Sequence, residues 1–387
     1  MRATATQPRR LHAEVRVDLD AIRANVEALR ARTSAEVLAV VKADGYGHGL
    51  LPSARAAVAG GATWLGTALL EEALALREAG ITGPRVLAWL LGPGERWADA
   101  LRADIDLSVS ATWALDEVVA AAREVGTTAR VHLKVDTGLS RGGAAAADWP
   151  DLVGAARKAE ADGSVQVVGL WSHLAYADEP GHDTIRRQAL DFAAALEHAE
   201  GAGLHPQVRH LANSAATLTA PEHHYDLVRP GLAVYGLSPV PGVAGPSAYG
   251  LRPAMSLRAS LVLVKRVPAG SGVSYAHAYT TARETTLGLV PLGYADGVPR
   301  SAGGVGPVLA AGRRRTVAGR VCMDQLVLDL GDDPAVAGDE VVLFGAGEDG
   351  EPTAQDWADA TATISYEIVT RVGARVPRVY VGADRSA

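Results

Sequence analysis

This chain of 387 residues contains a single cysteine, Cys322. A single thiol excludes an internal disulfide and any metal site built from several cysteines. No stretch of about eighteen apolar residues is present, so we expect no transmembrane helix. Residues 1–14 include arginines but lack the apolar core of a secretory signal. Together these absences predict a globular protein of the cytoplasm.

Excess charge of either sign is also missing. The formal net charge is −7 and the isoelectric point is near 5.9, and acidic and basic residues are interspersed along the chain. This balance gives no electrostatic reason to expect a nucleic acid or an anionic membrane as a partner. The one basic run, 313–315, is most simply a solvated edge strand. With 48% hydrophobic residues, the composition is that of an ordinary folded α/β protein.

The first two thirds of the chain alternate between short apolar runs and segments with helical periodicity. Eight such runs predict eight strands, and strands that alternate with helices favour a (β/α)8 TIM-type barrel. A doubly wound open sheet is the alternative, although no G-x-G-x-x-G follows the first run. The eight runs span residues 37–41, 63–67, 85–91, 105–109, 129–135, 165–171, 207–212 and 227–237.

The pattern of apolar and polar residues changes after residues 239–253, a segment rich in proline and glycine. From 254 to 346, apolar and polar residues alternate with a period of two, which is typical of β-strands. One late helix is predicted over 353–372, with Thr353 as its N-cap.

These patterns predict two domains in an α/β protein. The barrel is expected over residues 12–245 and a mostly-β domain over 246–387. We expect the first strand, near 13–19, to pack with the second domain.

Lys42 ends the first apolar run and is followed by the glycine-rich sequence ADGYGHG. Burying a lysine is costly unless it is paired or modified. One interpretation is a side chain that extends its amine to water from the end of a strand. The other is a lysine that loses its proton easily and forms a Schiff base with an aldehyde cofactor.

Polar residues follow several of the other predicted strands as well. The active site of a (β/α)8 barrel lies at the carboxyl ends of its strands, so these residues are expected to converge on one mouth. The residues at or near the predicted strand ends, most of them polar or charged, are Lys42, Lys134, Asp136, Thr137, Gly138, Arg141, Ser172, His173, His210, Asn213, Ser214, Arg229, Gly231 and Leu232.

The chain resembles the alanine racemase family, whose members are fold type III pyridoxal-phosphate enzymes. The resemblance runs from about residue 12 to residue 381, in order and through both domains. It is carried by the motifs VVKADGYGHG, HLKVDTGLSR, WSHLAYAD, HLANSAATL, LVRPGLAVYGL, GVSYAHAY, GRVCMDQ and ISYEIVTRVGARVPR.

This resemblance implies a two-base racemase that interconverts L-alanine and D-alanine and supplies D-alanine for peptidoglycan. Lys42 would hold pyridoxal 5'-phosphate as a Schiff base and, once released, act as one base. Tyr275 would be the second base on the opposite face, contributed by the other subunit of a homodimer with shared active sites. A tyrosine with an ordinary pKa near 10 is a poor base at neutral pH. The hydrogen-bond chain that assists it would consist of His173, His210 and Arg229.

The resemblance also implies residues that hold the cofactor and the substrate. Arg229 would face the pyridine nitrogen, and Arg141 and the partner-supplied backbone at Met323 would hold the substrate carboxylate. Lys134 would be carbamylated and orient Arg141, whereas Tyr294, Asp178 and Arg320 would line the access corridor. The cofactor would contact Lys42, Tyr46, His173, Asn213, Ser214, Arg229, Gly231, Leu232 and Tyr366.

One departure from the family pattern is Ala276, where relatives commonly carry glycine. If that position needs a positive φ, alanine strains it.

Three other functions are compatible with parts of this sequence pattern. A broad-specificity racemase of the periplasm would bring a signal peptide. A fold III decarboxylase would place a carboxylate, not Arg229, at the pyridine nitrogen and would use a catalytic cysteine. A non-catalytic pyridoxal-phosphate carrier would be made of the barrel alone, without the segment that carries Tyr275 and Met323.

Overall fold

The computed structural model of the protein describes residues 12–382. The chain divides into two compact units. One spans Leu19–Arg252. The other combines the first strand, β1 (Ala13–Asp18), with the chain that follows from Pro253.

The first unit is a barrel of eight parallel strands within the described residues, as the alternating pattern predicts. Strands β2 to β8 pair in chain order, and β9 pairs with β2. The ring is completed between β8 and β9, where the N–H of Asp226 donates to Arg209 O over 3.1 Å and the N–H of Arg229 donates to Ala212 O over 2.9 Å. The strands are β2 (Glu36–Val40), β3 (Trp64–Thr67), β4 (Arg85–Ala88), β5 (Asp106–Val109), β6 (Ala129–Lys134), β7 (Val165–Trp171), β8 (Val208–His210) and β9 (Leu227–Val228).

Helices occupy the segments between these strands. The first shows the amphipathic spacing that such packing needs, because Ile22, Val26 and Leu29 are fully buried on one face. The helices of this unit span Leu19–Arg30, Leu50–Ala59, Leu70–Glu78, Trp97–Arg102, Thr112–Val125, Trp149–Ala161, Asp183–Gly201 and Ser214–Thr219.

The eighth predicted run is the one that differs most from its prediction. Only Leu227–Val228 is a strand, and Leu232–Tyr235 forms a 3-10 turn. Pro230 stands between them and has no N–H for a sheet, so the prediction of one long strand over 227–237 was wrong.

The second unit is mostly β, as predicted, and its largest sheet has the order β16-β15-β18-β10-β1-β19. Strand β1 lies antiparallel to β10 and parallel to β19. Two smaller sheets have the orders β11-β14-β17 and β12-β13. The strands are β10 (Met255–Ser260), β11 (Leu263–Val267), β12 (Gly272–Val273), β13 (Tyr279–Thr280), β14 (Thr285–Val290), β15 (Pro307–Ala310), β16 (Arg313–Thr316), β17 (Leu326–Gly331), β18 (Glu340–Phe344) and β19 (Arg378–Val381).

The basic run 313–315 lies in β16, at the edge of the large sheet, as predicted. Thr353 is the predicted N-cap: its hydroxyl accepts from the N–H of Asp356, whose carboxylate accepts from the N–H of Thr353.

The prediction of a single helix over 353–372 was wrong, because the structure has two helices there, Ala354–Thr361 and Ser365–Thr370. Ala362 has a φ of 55° and ends the first. No helix within residues 12–382 is long and apolar enough to cross a membrane.

Candidate active site

Lys42 lies just beyond the carboxyl end of β2, at the start of a left-handed turn. The next four residues all have positive φ: 53° for Ala43, 54° for Asp44, 60° for Gly45 and 53° for Tyr46. For a residue with a Cβ this conformation costs about 1–2 kcal/mol. Strain of this kind persists only where surrounding contacts impose it, and it concentrates at functional sites.

Two carboxylates hold this turn. Glu72 Oε1 accepts from the N–H of Ala43 at 2.6 Å, and Asp44 Oδ1 accepts from the N–H of Leu50 at 2.8 Å. The backbone on either side of Lys42 is therefore held by β2 and by Glu72. This restricts the direction in which the lysine side chain extends.

Burial lowers the pKa of Lys42, and the positive charge of Arg141 lowers it further, whereas Glu72 raises it. The amine lies 5.8 Å from the centre of the Trp89 ring. A lysine whose protonated form is disfavoured in this way is a better nucleophile than an exposed one.

Hydroxyl, amide and backbone groups gather at the ends of β8 and β9. The N–H of Gly231 donates to Ser214 Oγ at 2.7 Å, and Asn213 Oδ1 caps the helix that begins at Ser214. A Cβ added to Gly231 would lie 2.2 Å from the Tyr46 hydroxyl. Leu232 opens the 3-10 turn that follows. The absence of a Cβ at Gly231 thus lets the Tyr46 hydroxyl approach its backbone closely, so that two hydroxyls and a backbone amide adjoin there.

Arg229 follows β9 and is 5% exposed. Its guanidinium donates to the carbonyl oxygens of Ser172 at 2.8 Å and Leu211 at 3.3 Å. It also lies 3.2 Å from His210 Nδ1 and 3.3 Å from His173 Nδ1. Burial lowers the pKa of Arg229 to about 9, so the group keeps its charge at neutral pH.

Both histidines are neutral acceptors in this arrangement. Burial lowers the pKa of His173 and of His210 well below the ordinary value, and the charge of Arg229 adds to the effect in each case. Their Nδ1 atoms face an arginine that can only donate, so each must carry its proton on Nε2.

Lys134, at the end of β6, shares an aromatic platform with Arg229. Its Nζ lies 4.3 Å from the centre of the Trp171 ring, and the Arg229 guanidinium carbon lies 4.8 Å from it. Burial and then the charges of Arg229, Arg141 and Lys42 lower the pKa of Lys134 to about 8. Four cations therefore crowd one mouth, which suits an anionic occupant.

The structure brings four of the predicted second-unit residues onto adjoining backbone segments. Ser274 Oγ, beside Tyr275, donates to the carbonyl oxygen of Arg320 at 2.7 Å, and the N–H of Tyr294 donates to Cys322 O at 3.0 Å. The four residues are Tyr275, Tyr294, Arg320 and Met323.

This group presents a large apolar surface to solvent in a single chain. Tyr275 is 69% exposed, Met323 54% and Tyr294 43%. Tyr366 lies in another element, at the second position of the helix Ser365–Thr370, and Asp178 is exposed in the loop after β7.

The backbone around Tyr275 is left-handed. The φ angles are 61° at Ser274, 58° at Ala276 and 45° at His277. Ala276 therefore occupies a position with positive φ, the condition under which we expect alanine to be strained.

The sequence pattern missed a set of contributing residues. His132 and Asp106 extend the hydrogen bonds of His210 into the barrel. Trp171 and Trp89 lie against the cations, and Glu72 holds the lysine turn. Neither a histidine within a strand nor a glutamate at a helix start has a sequence signal that separates this role from an ordinary one. Within the described part of the chain, no group of three or more His, Cys, Asp or Glu residues is placed to hold a metal ion.

Comparisons with known proteins identify the family. Residues 17–239 match the family model "Alanine racemase, N-terminal domain", and residues 254–380 match "Alanine racemase, C-terminal domain". An alanine racemase of Frankia casuarinae is 65% identical over 94% of this chain and 95% of the relative, and one of Salinispora arenicola is 62% identical over 96% and 98%. The crystal structure of alanine racemase from D-cycloserine-producing Streptomyces lavendulae is 61% identical, with a TM-score of 0.96 over 97% of this chain and 98% of that one. The chain belongs to the alanine racemase family.

Proposed function

We propose that this protein interconverts L-alanine and D-alanine, with pyridoxal 5'-phosphate held by Lys42, and that it supplies D-alanine for peptidoglycan. The observation that carries the proposal is the convergence, at one barrel mouth, of a lysine with a lowered pKa, an anion cradle and a buried arginine. Membership of the family supports the same activity.

The residues present fit the cofactor. Because Gly231 has no Cβ, the Tyr46 hydroxyl can lie close to its backbone, and Ser214 Oγ accepts from its N–H. Such a cradle suits a phosphate, which needs several convergent donors. Asn213, Leu232 and Tyr366 complete the proposed set. Lys42 would bind the aldehyde through its amine, and the bound cofactor supplies an electron sink that acidifies the Cα proton of the amino acid.

Arg229 faces the ring nitrogen in this proposal. Its hydrogen bonds to Ser172 O, Leu211 O and the two histidines leave little freedom to turn. Since a guanidinium only donates hydrogen bonds, it offers no carboxylate to keep that nitrogen protonated. The arrangement favours rapid return of a proton to Cα over side reactions.

Two bases handle the Cα proton, because a single base tends to return the proton to the face it left. Lys42 serves one face. Tyr275 of a partner subunit serves the other, with His173 and Arg229 beside it to assist loss of its phenolic proton. The exposed surface around Tyr275, Met323 and Tyr294 is of the kind that protein interfaces cover, which supports a homodimer with shared sites.

Arg141 holds the substrate carboxylate, together with the backbone at Met323 of the partner. A carbamate on Lys134 would orient Arg141 by a charge-assisted hydrogen bond. The unmodified amine instead adds a cation to a mouth where Arg141 and Arg229 already lower its pKa. Tyr294, Arg320 and Asp178 line the approach, where limited space favours a small side chain.

The test is incubation of the purified protein with L-alanine in deuterated water. Racemisation predicts that the optical rotation decays to zero while deuterium replaces the Cα proton. Polarimetry measures the first change and proton NMR the second. An unchanged rotation with no exchange at Cα rejects the proposed activity.

Two further readouts refine the result. Borohydride reduction followed by peptide mapping should place the cofactor on Lys42, with Lys158→Ala as a control that keeps the label and Lys42→Ala as one that loses it. Equal exchange with L-serine and L-alanine would instead favour the broad-specificity racemase.

A further inference from the structure

A line of buried polar side chains crosses the apolar interior of the barrel. It joins Arg229 to His210, then His132, then Asp106 at the start of β5. His210, His132 and Asp106 are fully buried. Burying polar groups is costly unless each is hydrogen-bonded, so the line has to be satisfied from end to end.

The hydrogen bonds of this line run in one direction. Arg229 donates to His210 Nδ1 at 3.2 Å, which leaves the His210 proton on Nε2. His210 Nε2 lies 2.9 Å from His132 Nδ1, and His132 Nε2 lies 3.1 Å from Asp106 Oδ2. Both histidines are thus neutral, each with its proton on Nε2, and Asp106 is the final acceptor.

Asp106 is held as an anion at the amino end of the barrel. Burial alone would raise the pKa of its carboxyl, but the hydrogen bond with His132 and the charges of Arg85 and Arg130 hold it below the ordinary value. Asp106 Oδ1 accepts from Arg130 Nε at 2.6 Å, and Arg85 pairs with the other oxygen. Since an ionised carboxylate can only accept, Asp106 ends the line as an acceptor, just as Arg229 begins it as a donor, and the direction is fixed from both ends.

The barrel makes room for this line. A Cβ added to Gly169 on β7 would lie 2.1 Å from His132 Nδ1, and the pairing of β6 with β7 shifts register between Val131 and His132. The Trp171 ring stacks on His210 with centroids 5.5 Å apart. The histidine positions are therefore imposed by backbone and aromatic packing.

We propose that Asp106 and His132 are positioning residues of the reaction. They fix His210 in the tautomer that accepts from Arg229, and they thereby fix the guanidinium that faces the cofactor ring. The inference rests on the proposed function, because only in that function does Arg229 face the cofactor ring.

The decisive variant is Asp106→Asn. An asparagine can donate as well as accept, so His132 and then His210 can reverse their tautomers, and His210 Nδ1–H would then face the N–H of Arg229. We expect kcat to fall about ten- to a hundredfold, the range for losing a hydrogen bond to a charged group. KM for alanine should stay within about twofold, because Asp106 is remote from the substrate.

The matched control is Asp226→Asn. Asp226 also pairs with an arginine at the amino end of the barrel, since Arg209 Nε lies 2.7 Å from its carboxylate. That carboxylate accepts from the N–H and the guanidinium of Arg209 and not from a histidine. This variant should keep kcat and the pH profile of the unmodified protein.

Two readouts separate positioning from a merely structural role. The first is solid-state NMR of 15N-histidine-labelled holoenzyme, which distinguishes protonated from unprotonated ring nitrogens. Asp106→Asn should change the nitrogen shifts of His132 and His210. The second is the comparison of kcat with KM: loss of positioning lowers kcat while KM for alanine stays within about twofold.

Unchanged histidine shifts overturn the proposal, whether kcat falls or not, because the line would then not depend on Asp106. If Asp106→Asn does not fold, His132→Gln leaves the pairs of Asp106 with Arg85 and Arg130 in place and is judged by the same shift of His210. Failure of racemisation in the unmodified protein rejects the proposed function, whereas the NMR comparison still decides the histidine line.

Discussion

The chemistry of Lys134 is set by its immediate surroundings. The chain has only four lysines, Lys42, Lys134, Lys158 and Lys265, and Lys134 combines burial with three neighbouring cations. With a pKa of about 8, roughly a tenth of its amine is neutral at pH 7. A neutral amine can take up carbon dioxide, and the resulting anion would replace repulsion of Arg141 by attraction.

We predict that Lys134 forms a carbamate whose occupancy rises with pH through about 8, as the amine loses its proton. The measurement is carbon NMR of the protein equilibrated with 13C-bicarbonate. Lys134→Ala should abolish the carbamate signal, and Lys158→Ala, on the helix Trp149–Ala161, should keep it. A signal that persists in Lys134→Ala, or none at any pH, contradicts the prediction.

At the scale of elements, both proposed bases stand in strained backbone. Lys42 is followed by left-handed Ala43 and Asp44, and Tyr275 lies between left-handed Ser274 and Ala276. At about 1–2 kcal/mol each, such residues need contacts that hold them. For the lysine turn, that contact is Glu72, whose other carboxylate oxygen caps the helix Leu70–Glu78.

We predict that Glu72→Gln loosens the lysine turn, because an amide cannot accept from both Ala43 and the helix start. The free energy of unfolding should fall by about 1 kcal/mol, measured by chemical denaturation. Since the charge of Glu72 raises the pKa of Lys42, its loss should lower that pKa. Reductive methylation of Lys42 in cofactor-free protein should then reach its full rate at lower pH.

Glu71→Gln is the control for this prediction. Glu71 lies in the same first helical turn as Glu72, so the variant changes charge and helix-end electrostatics equally. If both variants shift the methylation profile of Lys42 alike, the effect is one of general charge and the role given to Glu72 is wrong.

At the scale of the whole molecule, the barrel could be predicted because each of its strands is an apolar run and parallel strands place their ends together. Lys42, His173 and Arg229 were visible for that reason. His132 and Asp106 were not, because their role depends on which strands face each other across the barrel. The first of the two late helices ends at Ala362, which is neither glycine nor proline. Helical periodicity alone therefore predicted one continuous helix across that position.

The division of the molecule into two units leads to the last prediction. Lys42 lies in the barrel unit and Tyr275 in the other unit, and we propose that each site takes Lys42 from one subunit and Tyr275 from its partner. Neither Lys42→Ala nor Tyr275→Phe should then be active alone. Refolding an equal mixture should restore about a quarter of normal sites, because half of the dimers are mixed and each contains one intact site.

The control replaces the Tyr275→Phe chain by one that carries both substitutions. Mixed dimers then contain no intact Lys42, so the racemase rate should stay at the background of the single variants. Sites built within one chain predict no recovery in either mixture, because every chain would lack one of its own bases. Recovery in the first mixture alone therefore requires that Lys42 and Tyr275 act across the subunit boundary, and its absence would rule out the shared site.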